Sequence, residues 1–362
     1  MKFNIIIIAT IICFSSCIKE KLAITPPPST IENKVSLNNT ILVDFEYAKK
    51  TDKLVLLAKN PHKLYIFDYK TKQLDSLMLD ALPNCIAISL DGNFAVIGFD
   101  YKILQVDILK KEIIKSFNTS ITIGDIVYGT NDDCFYTEKD IFGNSKRSIR
   151  SIRFKFGTEI EGSTDYFEIM RLKIHPSGKS IYAIDIENAG FGGQQKFRKF
   201  DISTSKANLT YTINSEANNI IDNFWISDDG NKVINRQLSI FSISNTINPD
   251  LNYIKNINMG RNISVMSLDQ NINNQKIYFC SDNYFSSFES DAAIELDEAT
   301  GEITKKYLFE PFNTDVDGFK RKMDACGFFV SLSANNSKLI AVTKPFASNI
   351  YNQWGIEVID IE

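Results

Sequence analysis

The sequence predicts an all-β fold in which one four-stranded unit repeats from end to end and closes on itself. Three observations carry this expectation. An apolar run, a polar turn with Gly or Asn, and a second apolar run recur along the chain. An alternating segment that often ends in Asp follows each of these hairpins. The first ordered segment and the last one are both incomplete, and each supplies what the other lacks.

The hairpin is clearest in "AISLDGNFAV" (residues 87–96), "KIHPSGKSIYAI" from Lys173, "WISDDGNKVI" from Trp225 and "SLSANNSKLIAV" from Ser331. Weaker copies begin at Phe45, Ile126 and Ser267, which makes seven hairpins in all. Gly and Asn belong at such turns because tight hairpins require positive φ, which these residues tolerate. The segments that follow include "LYIFD" to Asp68, "ILQVD" to Asp107, "FRKFD" to Asp201, "AIELD" to Asp297 and "EVID" to Asp360. Polar turn residues come next, and then a short fourth strand such as "DSLMLD" or "KKYLFE". A unit of four strands over roughly 40–60 residues has the period of a propeller blade. The expected architecture is therefore a seven-bladed β-propeller.

The last unit ends at Glu362 without a fourth strand, and "NKVSLNNT" (residues 33–40) is a lone strand before the first hairpin. Pairing residues 33–40 with 355–361 would complete the last blade and cover an open sheet edge. The stretch "LPNCIAISLDGNFAVIGFDYKILQVDILKKEII" (residues 82–114) resembles a blade of the YVTN-type β-propellers, relatives of the WD40-like repeats. The resemblance implies a seven-bladed ring and no single function, because propellers host many.

Ahead of the repeats, Met1-Lys2 and the apolar "IIIIATIICF" (residues 5–14) have the layout of a signal peptide. The apolar run is shorter than the about 20 residues a membrane span needs. "FSSC" (residues 14–17) resembles the lipobox of bacterial lipoproteins, with Phe14 in place of the usual Leu. It implies cleavage after Ser16 and a lipid on Cys17. The expected domains are a signal peptide (1–16), a lipidated cysteine with a Pro-rich tether (17–32) and the propeller (33–362). Ile18 in place of Asp lacks the inner-membrane retention signal of such lipoproteins, which implies the outer membrane in either leaflet. Removal of Lys2 takes the formal charge from −4 to −5, so no basic excess would draw nucleic acid. Cys85, Cys134, Cys280 and Cys326 lack CxxC or zinc spacing and read as buried thiols, though an export route permits disulfides.

A catalytic constellation is harder to find. The chain has two histidines, His62 and His175, neither with a second histidine at metal-binding distance. His175 reads as a turn residue. "NDDC" (131–134) and "SDDG" (227–230) lack the alternating oxygen ligands of a calcium loop. "KRSIRSIRFKF" (146–156) alternates as a half-buried strand does, with Ile152, Phe154 and Phe156 on one face. The expectation is no enzyme, no metal and no cofactor.

Binding features concentrate in long links: 186–197, 282–292, 344–355 and the link 310–325 before the last blade. Long aromatic loops serve recognition more often than packing. The candidate ligand-binding residues are Phe191, Tyr284, Phe285, Phe288, Phe346, Tyr351 and Trp354 for apolar area. Asn349, Asn352 and Gln353 would supply hydrogen bonds, with charge from Arg321 and its neighbour Lys322. Trp354 ranks first as an exposed tryptophan. The expected partners are a membrane through the lipid, and a glycan, peptide or envelope protein. A hydrolase or lactonase-like enzyme, and a scaffold subunit of an outer-membrane assembly, are the alternatives. Carboxylates of raised pKa in a central pocket would favour the enzyme, and a flat apolar face the scaffold.

Overall fold

The computed structural model describes residues 34–139, 146–166, 169–186, 196–214, 223–244, 250–259, 263–281, 290–316, 319–346 and 352–361. The described residues belong to one compact unit, and Cys17 lies outside them.

Every described element is a strand, and neighbours pair antiparallel. Strand β1 (Lys34–Asn38) precedes the first sheet, which is β2 (Ile41–Ala48), β3 (Lys53–Asn60), β4 (His62–Asp68) and β5 (Gln73–Met78). The second sheet has six strands: β6 (Pro83–Ile88), β7 (Phe94–Asp107), β8 (Glu112–Tyr128), β9 (Asp133–Glu138), β10 (Lys146–Arg153) and β11 (Thr158–Tyr166). The third is β12 (Ile169–Ile174), β13 (Ser180–Ile186), β14 (Lys196–Asp201) and β15 (Asn208–Asn214). The fourth is β16 (Phe224–Ile226), β17 (Lys232–Asn235), β18 (Ser239–Ser242) and β19 (Asn252–Asn256). The fifth is β20 (Val265–Asn271), β21 (Lys276–Ser281), β22 (Ala292–Asp297) and β23 (Ile303–Leu308). A separate hairpin of β24 (Phe312–Val316) and β25 (Phe319–Met323) follows. The sixth sheet joins β26 (Ala325–Leu332), β27 (Lys338–Pro345) and β28 (Gln353–Asp360) to β1. The chain is a β-propeller.

The expected count of seven separate sheets is corrected to six. Strand β8 runs unbroken for 17 residues, so two of the predicted units share one ladder. Its first half pairs with residues 102–107 of β7, and Ile123–Tyr128 pairs with β9. The two halves of this sheet still pack against each other. Val96 and Ile103 from one half meet Ile126, Tyr136 and Ile152 from the other in their own buried cluster. Phe156 was expected to share the buried face of Ile152 and Phe154 but is exposed. The strand ends at Arg153, whose carbonyl accepts the N–H groups of Phe156 and Gly157 in a turn.

The N-terminal strand does complete the last sheet. Val35 sits opposite Ile356 and Leu37 opposite Trp354. A buried ion pair fastens this seam: Lys34 Nζ lies 3.0 Å from Glu357 Oε1. Glu357 also accepts the Thr343 hydroxyl at 3.0 Å and the Glu310 N–H at 2.9 Å. Lys34 donates to the Glu310 carbonyl and stands 3.6 Å above the Phe312 ring. Burial holds the Lys34 amine below its ordinary pKa and the Glu357 carboxyl above its own, despite their mutual attraction.

The turn residues have structural work that the repeat alone does not reveal. In Ser89–Asn93 the Asp91 carboxylate accepts Ser89 Oγ–H at 2.5 Å and Asn93 N–H at 3.1 Å, while Gly92 takes φ +77°. Ser227–Asn231 and Ser333–Ser337 repeat the arrangement around Asp229 and Asn335. Neighbouring turns also bind each other. Thr51 Oγ1 donates to the Gly92 carbonyl at 2.9 Å, and His175 Nε2 lies 2.8 Å from the Gly230 carbonyl. A Cβ on Gly230 would come within 2.4 Å of that imidazole nitrogen, so close approach and positive φ both require glycine there. The Asp that ends the third strand caps the next turn, as Asp68 does for Lys70 N–H at 2.9 Å and Asp297 for Ala299 N–H at 3.0 Å.

All four described cysteines are buried thiols outside any disulfide. Burial raises the pKa values of Cys85, Cys134 and Cys280, the last to about 12, so these three are poor nucleophiles.

Removing one member of a buried ion pair strands the other. Lys34→Met should therefore cost about 3 kcal/mol in urea unfolding, whereas Lys34→Met with Glu357→Leu should recover most of that loss. Equal destabilisation in the single and double variants would show that the seam does not depend on this pair.

Candidate functional site

The inner strands β2, β12, β16, β20 and β26 surround a cavity of about 670 Å³. Its wall is held together by carboxylates that bond to main chain on two strands at once. Asp44 on β2 accepts the N–H of its neighbour Phe45 at 2.9 Å and that of Ile86 on β6 at 2.9 Å. Asp125 on β8 accepts from Ile126 at 2.9 Å and from Leu172 on β12 at 2.7 Å. Asp269 on β20 accepts from Gln270 at 2.7 Å and from Leu332 on β26 at 2.7 Å. Ser267 and Val330 add a reciprocal pair between β20 and β26, each bond 3.2 Å. An inner strand has an unpaired edge, and each of these acids satisfies an amide of the next sheet that would otherwise go unbonded.

Ion pairs then cross the cavity. Lys49, after β2, reaches Asp228 of the fourth sheet at 2.5 Å and Asp269 of the fifth at 3.2 Å. Lys173 on β12 faces Glu46 on β2 at 3.9 Å, with both side chains more than a third exposed to the cavity. A wetted pair at that separation contributes under about 1 kcal/mol. Burial pushes the Asp44 carboxyl up to about 7, helped by the nearby Glu46 charge. Burial also raises Glu46, Asp125 and Asp228, the last with help from Asp269. For Lys49, burial works against the charged form, but Asp269 and Asp228 outweigh it and hold the amine above its ordinary range.

The apolar part of the lining is aromatic. Phe45 and Phe329 meet at a tilt, 5.2 Å between ring centroids, across the seam of the first and last sheets. Trp225 on β16 is only half buried and faces the same space. Sequence reasoning missed this site. Trp225 and Lys173 appeared only as the first residues of hairpins, and Arg171 carried no signal of its own.

The predicted binding residues that the structure describes lie elsewhere. Phe191, Tyr284, Phe285, Phe288, Asn349 and Tyr351 are outside the described residues. Phe346 is 55% exposed, and Arg321 and Lys322 are exposed on β25. Asn352 is exposed, and its carbonyl accepts the Thr40 N–H at 2.9 Å. Gln353 pairs with Asn38 in the closing ladder. Trp354 is corrected from an exposed contact to a packed one. It is 7% exposed, meets Phe328 edge-on at 5.2 Å between centroids, and joins the core between the first and last sheets. The reason is register: β28 begins at Gln353, so Trp354 is already a strand residue with its side chain inward. None of the described residues among them lines the cavity. Among the described residues no group of three or more His, Cys, Asp or Glu is placed to hold a metal ion.

The Asp44 shift sets a pH dependence. A carboxyl whose pKa is near 7 folded and about 3.9 unfolded binds more protons in the folded state between those values. Its contribution to stability must therefore fall as pH rises from 4 to 7, by at most about 1.4 kcal/mol per pH unit. Asp44→Asn should flatten this slope in urea titrations at pH 4.5, 6 and 7.5. An unchanged slope would place the proton elsewhere.

No family model matches the chain, and no curated protein matches it in sequence. Among solved structures it is similar to the β-propeller domain of Cps50 (Swd1) from Myceliophteria thermophila. That match has TM-score 0.59 and 9% identity and covers 90% of this chain and 99% of that one. It is also similar to hydrazine synthase of Kuenenia stuttgartiensis, with TM-score 0.59, 13% identity, and 90% and 96% of the two chains covered. At these identities the likeness shows the β-propeller fold alone.

Proposed function

We propose that the protein is a lipid-anchored, non-catalytic binding module of the bacterial cell envelope, with the central cavity as its ligand site. The observation that carries this reading is the cavity itself. It combines exposed aromatic area at Trp225 with charged groups whose partners are already in place. A pocket of that size with aromatic walls and a few convergent polar groups is what a small ligand requires. The ligand would be a glycan or peptide fragment. The anchor rests on the resemblance of "FSSC" to a lipobox, which would put the lipid on Cys17, and the outer membrane on Ile18 in place of the retention-signal Asp. The aromatic and amide residues of the long links would add a second contact area. The self-packed halves of the six-stranded sheet support treating it as two blades, and the ring as seven packed units, as in YVTN-type propellers.

One observation favours an envelope hydrolase as a second reading. Asp44 and Glu46 both hold their protons more tightly than ordinary carboxyls and face one cavity, as a general acid would. Against it, both oxygens of Asp44 accept main-chain N–H groups, which ties that carboxyl to the wall. Glu46 is the acid with room to act.

The test is capture from a solubilised envelope extract on immobilised protein. The wild type should retain a component that Trp225→Ala retains at least about tenfold less well, as expected for a tryptophan contact worth about 2 kcal/mol. Equal capture by both would remove the cavity from the account. Turnover of the captured component that stops in Glu46→Gln would establish the enzyme instead. For the anchor, Cys17→Ala should lose incorporated palmitate and leave the membrane fraction; palmitate retained by Cys17→Ala would refute it.

A further inference from the structure

We propose that the cavity selects ligands carrying a carboxylate, with Arg171 as the residue that reads it and Trp225 as the surface beneath the rest of the molecule. This rests on the cavity being a binding site and goes further by naming the chemistry recognised.

Most of the charges facing the cavity are already engaged. Asp44 and Asp125 spend both oxygens on main-chain amides. Asp228 and Asp269 are engaged by Lys49. Glu46 faces Lys173. Arg171 lines the same cavity, is exposed to it, and makes no hydrogen bond or ion pair with any described residue. Its neighbour Asp125 influences it through space only, because that carboxylate is turned onto Leu172 N–H. A guanidinium offers five N–H donors in a planar fork that fits a carboxylate with two parallel bonds.

Lys173 supports the same choice. It stands two residues along β12, so its side chain leaves the same face of the strand as that of Arg171. Its contact with Glu46 is long and wet, so an arriving carboxylate can share the ammonium at little cost. Binding one anion between Arg171 and Lys173 leaves the cross-cavity pair Lys49–Asp228 untouched. A cationic ligand would have to displace Lys49 or Lys173 from its acid first. The remaining wall, Trp225 with Phe45 and Phe329, suits a flat or ring-shaped body behind the carboxylate. In an envelope two sources present that chemistry: uronate residues of acidic glycans, and free peptide C-termini.

Tryptophan fluorescence of the full chain reads the site directly, because the protein has two tryptophans and Trp354 is packed in the core. The probes are tri-galacturonate against its methyl ester, and a Tyr-Ala-Ala tripeptide against its C-terminal amide. At least one acid should change Trp225 emission, with the matched neutral form at least tenfold weaker. Arg171→Ala should weaken the acid at least tenfold, Arg171→Lys should recover part of that, and Trp225→Phe should abolish the signal with binding still seen by calorimetry. Which acid binds distinguishes glycan from peptide. Binding of neutral forms as tightly as acids, undiminished in Arg171→Ala, overturns the carboxylate proposal and leaves the cavity as a binding site. Silence with all four probes at millimolar concentration overturns the carboxylate proposal for both sources. A component captured through Trp225 would then still uphold the cavity as a site.

Discussion

The bond on which the rest of this molecule depends is the one between an inner-strand carboxylate and a backbone amide of the next sheet. Asp44 to Ile86, Asp125 to Leu172 and Asp269 to Leu332 all have this form. A propeller turns the edges of its sheets toward a common centre, and edge amides need acceptors. Hydrogen bonds to charged groups are worth about 1.5–3 kcal/mol each, more than neutral ones. Using acids for this task has a second effect. It places negative charge around an enclosed space, where desolvation raises the pKa values of Asp44 and Asp125 and any cation that can reach the acids is favoured. Lys49 and Lys173 cross the cavity for that reason. The polar character of the site thus follows from how the sheets are joined.

The same economy holds at the other levels of the structure. Apolar side chains fill the spaces between successive sheets, from the cluster of Val55 and Ile97 to that of Cys280 and Leu339. Hydrophobic burial supplies most of the stabilisation but little direction. Direction comes from specific polar bonds: Lys34 with Glu357 at the seam, turn to turn through Thr51 and His175, and Lys199 with Asp250 between the third and fourth sheets at 2.5 Å. Asp250 also accepts the hydroxyls of Tyr182 at 2.7 Å and Tyr211 at 2.5 Å, so its buried charge is fully coordinated.

Much of the fold was legible because its signals are local. The turn at Asp91-Gly92-Asn93 announces itself through residues that must take positive φ, and the strand at 34–38 was recognisable from what the C-terminal unit lacked. The count of sheets was not legible, because nothing in "FNTSITIGDIVY" marks whether the ladder stops or continues between Phe117 and Tyr128. Trp354 was misread for a related reason: a link and the strand that follows it look alike where they meet. The cavity could not be read at all. The inner strands contribute residues that lie far apart in the chain, from Val43 on β2 to Ser331 on β26, and Arg171 or Trp225 taken alone is an ordinary strand residue. Only the ring brings them together.

Amide hydrogen exchange separates the cavity from the long-link face most directly. The wild-type protein would be compared with and without the small-molecule fraction of the envelope from which it is isolated. A ligand in the cavity should add protection on the inner strands, centred on the amides of Ile86, Leu172 and Leu332 that bond to the wall carboxylates, and on the segment around Trp225. Protection confined to 187–195, 282–289 and 347–351, with the inner strands unchanged, would contradict it.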